Sequence, residues 1–424
     1  MTRVLYNFLI IFFYIPFVFI IFFRKFINKE DKFKFKEKFF FSNFKRPSGF
    51  LFWFHVASIG ELNSIFPIID FYLKKNKNYN FIITTITLSS YNEYKKKYGT
   101  NNRVQHQFLP YDFKPLVNNF FNNWKPNIVS FVDSEIWPNF IHKIKKEKLP
   151  FILLNARITK KTFDRWMIFK GFARDLFSSF SLCIASSKET RDFLKKLNAN
   201  NVKYFGNIKF CTPVYKKKYL VEEFESIKNK DVWCALSTHE NEEFLCGLAH
   251  KIIKKHNRNI ITIIIPRHIE RIKTIRSNLE KMNLSTQVKG ETEPIGKNAE
   301  IILVNYYGST QKYLQNFRQV FIGKSMIKKL EKVGGQNPIN AAKMGCRIYH
   351  GPYVYNFKEI YNYLGEKKLA EKVGDYKDLA DNLRKNFENK ISIKENEVQQ
   401  LHNYSEKIFD ELINEYKNLI NENI

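Results

Sequence analysis

FLFWFHVASIGELNSIFPIIDFYL, residues 50–73, decides how the chain is read. It opens with an apolar run, FLFWFHVA, rich in the aromatic residues that strands favour. It closes with ELNSIFPIIDFYL, whose apolar residues recur at helical spacing. Between them stand Ser58, Gly60 and Glu61, where a buried strand turns into a helix. An acidic residue in a first helical turn complements the positive end of the helix dipole, so Glu61 has an ordinary structural reading as a cap. A carboxylate at the end of a buried strand also has a chemical reading, which depends on the rest of the chain.

Working outward, the same alternation continues. NFIITTI, VQHQFL, NIVSFVD, PFILLN and LCIAS follow as strand candidates, separated by amphipathic segments. After a stretch at 210–230 that reads as a linker, DVWCALS, NIITIIIP, AEIILV, QVFIG and CRIYHG repeat the pattern. From about Asp375 the chain reads as helices. Strands alternating with helices predict parallel sheets, here two, and such sheets bind ligands beyond the carboxyl ends of their strands. Two facing sheets would make a cleft there.

The polar residues fall on that side. Glu61 follows the first strand, Thr84 and Thr85 end the second, and Glu135 follows NIVSFVD. Asn155 and Arg157 follow PFILL; Ser237, Thr238, His239 and Glu240 follow DVWCAL; Arg267 and His268 follow ITIIIP. Each cluster could equally cap a helix. GGQNP, residues 334–338, opens a helix after QVFIG, and its glycines would leave backbone N–H groups free for an anion; with Arg267 it reads as a phosphate site. There is no Walker A sequence and no GxGxxG.

Composition sets limits. The chain has 424 residues, 44% hydrophobic, with a net charge of +29. Such charge points to an anionic partner or to a general drift toward lysine, and the lysines are spread widely. Five cysteines match no zinc spacing and read as free thiols. Val4–Phe23 carries no charge and is followed by the lysine- and phenylalanine-rich RKFINKEDKFKFKEKFFF. That pair of features predicts one membrane-spanning helix with the remainder on the cytoplasmic side, its basic flank on anionic lipid. A chain starting near Lys32 is therefore expected to fold.

HVASIGE, FLPYD, DSEIWPN, LLNARIT, GNIKF, STHENEE, PRHIER and GGQNP…GPYVYNF occur in this order. Together they resemble the motif set of the 3-deoxy-D-manno-octulosonic acid (Kdo) transferases of lipopolysaccharide synthesis, over nearly the whole chain. The resemblance implies an α/β fold of GT-B type, two Rossmann-like domains facing across a cleft, behind an N-terminal transmembrane anchor helix at the inner membrane. The expected divisions are an anchor at 1–30, an acceptor-binding domain at 31–212 and a nucleotide-sugar-binding domain with C-terminal helices at 213–424. It implies inverting, metal-independent transfer of Kdo from CMP-Kdo to a lipid A precursor, with no cofactor and no nucleic-acid partner.

By the same resemblance Glu61 is the general base, with Glu135 in support. Ser58, Gly60, Thr84, Thr85, Asn155, Arg157 and Lys209 would meet substrate, with Arg157 or Lys209 on the Kdo carboxylate. Ser237, Thr238, His239, Glu240, Arg267, His268, Gly334, Gly335, Asn337 and Asn340 would line the nucleotide site. The chain departs from the usual GGHNPLE at Gln336 and Asn340, and Lys324 replaces a glycine. The competing readings are another envelope GT-B enzyme, such as a lipid A disaccharide synthase, and a non-catalytic basic membrane protein.

Overall fold

The apolar runs become parallel strands because each is buried on both faces, the condition under which a strand reads as continuous rather than alternating hydrophobicity. The computed structural model describes residues 2–39, 44–214, 221–296, 298–389, 393 and 395–421. These form two α/β units, Met1–Pro213 with Ser405–Ile424, and Val214–Tyr404.

The first unit carries β1 (Phe50–Val56), β2 (Tyr79–Thr85), β3 (Val104–Phe108), β4 (Ile128–Val132), β5 (Phe151–Ala156), β6 (Leu182–Ala185) and β7 (Val202–Lys203). They lie in the order β3-β2-β1-β4-β5-β6-β7, all parallel. The second unit carries β8 (Asp231–Thr238), β9 (Ile260–Pro266), β10 (Thr286–Lys289), β11 (Ile301–Val304), β12 (Gln319–Ile322), β13 (Arg347–His350) and β14 (Ala370–Lys372). Their order is β10-β11-β9-β8-β12-β13-β14, again parallel. In each sheet the winding reverses beside the first strand, between β1 and β4 and between β8 and β12. Ligand-binding crevices open at such reversals.

The eleven apolar runs all become strands. The three unforeseen strands, β7, β10 and β14, are short and mostly half-exposed, so they carry no apolar run. The last helix, Glu395–Asn421, corrects the expected division, because its residues from Ser405 belong to the first unit. There the Tyr416 hydroxyl meets Ser130 Oγ at 2.7 Å and Lys203 pairs with Glu415 at 2.6 Å. The expected linker contains the division at Pro213, and its residues 215–220 lie outside the described ones.

The N-terminus departs furthest from expectation. Among the described residues no single helix is long and apolar enough to cross a bilayer. Val4–Phe23 instead falls in two helices, α1 (Arg3–Phe12) and α2 (Tyr14–Phe26), bent by 47°, which pass that test only as a pair. One side of the pair is docked. The Tyr6 hydroxyl donates to Asp112 Oδ2 at 2.6 Å, Tyr14 donates to the Phe39 carbonyl at 2.7 Å, and Phe17 stacks on Tyr111 at 4.3 Å. Ile21 is buried against Phe35 and Phe39. Glu30, also buried, accepts from Arg24 at 2.7 Å and from the buried Lys38 at 2.6 Å. A chain starting near Lys32 would lose Glu30 and leave Lys38 without that counter-charge, a cost that composition alone does not register.

Candidate active site

In the first unit, helix α3 (Ile59–Lys75) starts directly beyond β1. Ser58 is its N-cap and Glu61 the third helical residue, the spacing of a capping box. The Ser58 hydroxyl accepts from Glu61 N at 3.3 Å and donates to Glu61 Oε1 at 2.6 Å. Glu61 Oε2 accepts from Ala57 N at 2.7 Å. Both carboxylate oxygens are thus oriented by the chain itself. Gly60 is exposed, and a Cβ there would meet nothing nearer than Ser58 Oγ at 4.0 Å. The fold has no steric need for a glycine at this point, which leaves room beside the carboxylate.

His55 pairs with Phe131 across β1 and β4, so the residues after β4 arrive beside Glu61. Burial pushes the Glu61 carboxyl above its ordinary value, the Asp133 charge adds to the rise, the Ser58 and Ala57 bonds oppose it, and Glu135 adds again. Asp133 is buried, held at a φ of +63°, and 3.7 Å from Lys209. Its carboxyl is raised by burial against the pull of Lys209 and Arg157. Asn155, buried with a φ of +52°, accepts from Ile208 N at 3.1 Å and so fixes the turn that carries Lys209.

Glu135 has a different setting. Its Oε2 meets His55 Nε2 at 3.1 Å and accepts from Trp137 Nε1 at 2.9 Å. Burial alone would raise its carboxyl, but these contacts outweigh it and hold it below the ordinary range. His55 Nδ1 meets Thr84 Oγ1 at 2.9 Å, which also accepts from Trp53 Nε1 at 2.9 Å. Thr85 Oγ1 bonds His106 Nε2 at 2.9 Å. Both threonines are fully buried. They position histidines inside the sheet and do not present their side chains to a substrate, contrary to expectation. His55, quoted in the first motif but given no role, is the link between Thr84 and Glu135. Its place inside an apolar run is the signal that could have marked it.

In the second unit the loops after β8, β9 and β12 meet. Ser237 has a φ of +54° and Lys324 one of +60°. Asp133, Asn155, Ser237 and Lys324 are left-handed non-glycine residues at or just past the ends of β4, β5, β8 and β12. Strain of this kind persists only where surrounding contacts impose it, and it clusters at binding sites. At Lys324 the imposing group is Glu242. It is fully buried and accepts four backbone N–H bonds, from His239 (2.9 Å), Lys324 (2.6 Å), Ser325 (2.8 Å) and Met326 (3.0 Å). Glu243 holds Arg271 at 3.1 and 3.0 Å and accepts from Thr238 at 3.0 Å. Glu240, selected from the same STHENEE, is exposed. Three nearby glutamates look alike in sequence, and only packing separates them.

His239 and His268 lie edge to face at 5.8 Å, and Arg267 and His268 are exposed at the end of β9. The GGQNP glycines are close-packing residues. A Cβ on Gly334 would fall 2.1 Å from the Tyr353 carbonyl, and Gly335 has a φ of +91°. The Gly335 N–H already donates to the Lys324 carbonyl at 2.6 Å. It is therefore not free for an anion, as the sequence had suggested. Asn337 and Asn340 are exposed, and Asn337 Oδ1 accepts from Ile339 N at 3.0 Å in the turn that enters the short helix Ile339–Lys343.

The 3-deoxy-D-manno-octulosonic-acid transferase (kdotransferase) sequence profile matches residues 33–212. A 3-deoxy-D-manno-octulosonic acid transferase from Rickettsia bellii is 31% identical over 390 residues, covering 91% of this chain and 90% of that protein. This chain belongs to the Kdo transferase family. It is accordingly a glycosyltransferase. The family member from Haemophilus influenzae is 24% identical over 348 residues, 80% of this chain and 79% of its own. The two parallel-sheet units resemble GT-B glycosyltransferases. A glycosyltransferase from Rickettsia africae superposes with a TM-score of 0.58 at 11% identity, over 88% of this chain and 99% of that one, a likeness of fold alone.

Proposed function

We propose that this Kdo transferase family member moves Kdo from CMP-Kdo to a hydroxyl of a lipid A precursor, with Glu61 as general base. A sugar hydroxyl is a weak nucleophile at neutral pH and needs a positioned base. The acceptor oxygen attacks the anomeric carbon of Kdo on the face opposite the phosphate. The bond from that carbon to the phosphate oxygen breaks, CMP departs with the electron pair, and the hydroxyl proton passes to the Glu61 carboxylate. The configuration inverts. The observation that carries this reading is the Glu61 carboxylate itself. It is buried just beyond the end of β1, aimed by Ser58 and Ala57, and its carboxyl is raised above the ordinary glutamate value by burial and by Asp133. Space beside Gly60 would admit the acceptor.

Arg157 and Lys209 supply the positive charge an α-keto-acid sugar needs for its carboxylate, and their attraction to Asp133 brings both to this end of the first unit. In the second unit Arg267, His268 and the strained loops at Ser237 and Lys324 would receive the nucleotide, and cationic groups would stabilise the departing phosphate without a metal. The reaction would take place at the cytoplasmic face of the inner membrane, where the lipid acceptor resides. The test is mass spectrometry of the lipid product after incubation with CMP-Kdo and a lipid A precursor, with CMP release followed in parallel. Lipid binding without CMP release would reject transfer in favour of a non-catalytic membrane protein.

A further inference from the structure

The docked residues of the N-terminal pair, Tyr6, Tyr14, Phe17, Val18 and Ile21, lie on the side of α1 and α2 that faces the first unit. Contacts run from Tyr6, near the start of α1, to Arg24, near the end of α2. The pair is therefore fixed lengthwise against the first unit. Helices of 10 and 13 residues measure about 15 and 20 Å. Crossing the roughly 30 Å of bilayer hydrocarbon would need both of them freed end to end. The opposite side is bare and apolar, with Phe19 71% exposed and Phe26 84%. A helix that offers one apolar side enters lipid only to the depth of the headgroup boundary.

Charge lies beside that face. Arg3, Lys114 and Lys146 line a cavity of about 200 Å³ together with Asn118, Asn139 and His142. The three cations are exposed, and none makes an ion pair within 4 Å among the described residues. His142 Nε2 is buried there without a hydrogen-bond partner, with Asp175 Oδ2 3.6 Å away, and Lys143, which also lines the cavity, pairs with Glu147 at 2.6 Å. At the far end of the pair stand Lys25 and Lys29. An apolar face rimmed by cations at both ends matches the layered chemistry of an anionic bilayer surface. A second protein copy would leave these cations facing their own kind.

We propose that α1 and α2 lie in the plane of the membrane as a monotopic contact, and that the Arg3–Lys114–Lys146 cavity beside them binds the phosphate of an anionic phospholipid headgroup. The binding mode is independent of the glycosyl-transfer reading. Full-length protein is added to preformed sealed vesicles, and a membrane-impermeant maleimide is applied from outside. Thr2→Cys reacts without detergent if the pair lies in the plane; reaction only after detergent shows a span and overturns the proposal. The unsubstituted chain gives the background from the native cysteines.

In the second arm, the combined Arg3→Gln, Lys114→Gln and Lys146→Gln variant is compared by sedimentation with phosphatidylcholine vesicles, with and without phosphatidylglycerol. Its affinity should fall roughly tenfold or more on the anionic vesicles and stay unchanged on the neutral ones. Equal affinity to the native chain on anionic vesicles would overturn the headgroup site. So would loss of the anionic preference on adding inorganic phosphate at constant ionic strength, which marks a free-anion site. A lipid-free dimer that fails to bind either vesicle would show that a second copy covers the face. Circular dichroism confirms the fold of each variant, and Lys114→Gln alone repeats the measurement if the triple variant is unfolded.

Discussion

Glu61→Gln separates capping from catalysis, because the structure says what each loses. The amide oxygen can accept from Ala57 N, and the amide nitrogen can donate to Ser58 Oγ, since a hydroxyl both donates and accepts. The capping box therefore survives. Two charge-assisted bonds become neutral ones, a loss of about 1 kcal/mol each. Against this, a buried charge disappears beside Asp133 and Glu135. A carboxylate whose pKa is raised on folding favours the folded state at low pH, and that benefit is lost as pH rises through the folded value. At neutral pH the charge is thus a liability, and its removal offsets the weaker bonds. The expected net change is within about 1 kcal/mol, a few degrees in Tm for a unit of this size. Glu61→Ala loses both bonds and leaves Ala57 N unpartnered, at a cost of about 2 kcal/mol. Turnover, measured as CMP release, should fall by roughly a hundredfold or more in both variants. Near-normal turnover in Glu61→Gln would refute the base assignment, and an unfolded Glu61→Gln would refute the capping argument.

The acid limb of kcat/KM should lie above the ordinary glutamate value of 4.5, because activity is lost as Glu61 gains its proton. Asp133→Asn should move that limb to lower pH, since Asp133 is the largest charge raising Glu61, and asparagine tolerates the φ of +63°; a limb that stays put in the pH–rate profile would remove Asp133 from the site. A chain beginning at Lys32 should unfold at markedly lower urea than the full chain. It strands Lys38, and a buried ion that loses its partner costs about 3–5 kcal/mol; equal midpoints would show that Glu30 is dispensable. Glu242→Ala should be among the most destabilising single changes in the second unit. It would orphan four backbone N–H groups at about 1–3 kcal/mol each, and thermal unfolding would register it directly.

Much of the fold was legible along the chain. Strands buried on both faces must be apolar throughout, so FLFWFHV and ITIIIP announce themselves, and parallel pairing follows from the helices between them. Ser58 and Glu61 stand at capping spacing, which placed the carboxylate correctly without any neighbour being known. Local composition also separated the halves, though not the final helix. Its return to the first unit depends on Tyr416 and Glu415 finding Ser130 and Lys203, partners more than two hundred residues away.

Tertiary structure alone decided which polar groups remain available. Thr84 and Glu242 look as free in sequence as Ser58 or Glu240, yet their bonds are consumed by residues remote in the chain. The Gly335 N–H is spent on a carbonyl eleven residues earlier. The N-terminal run illustrates the same limit. Its hydropathy is set by the residues themselves and was read directly. Whether it stands free or lies docked depends on Asp112, Tyr111 and Phe39, which the run does not contain. A sequence fixes what each segment must bury, whereas the fold determines against what, because burial partners are chosen across the whole chain.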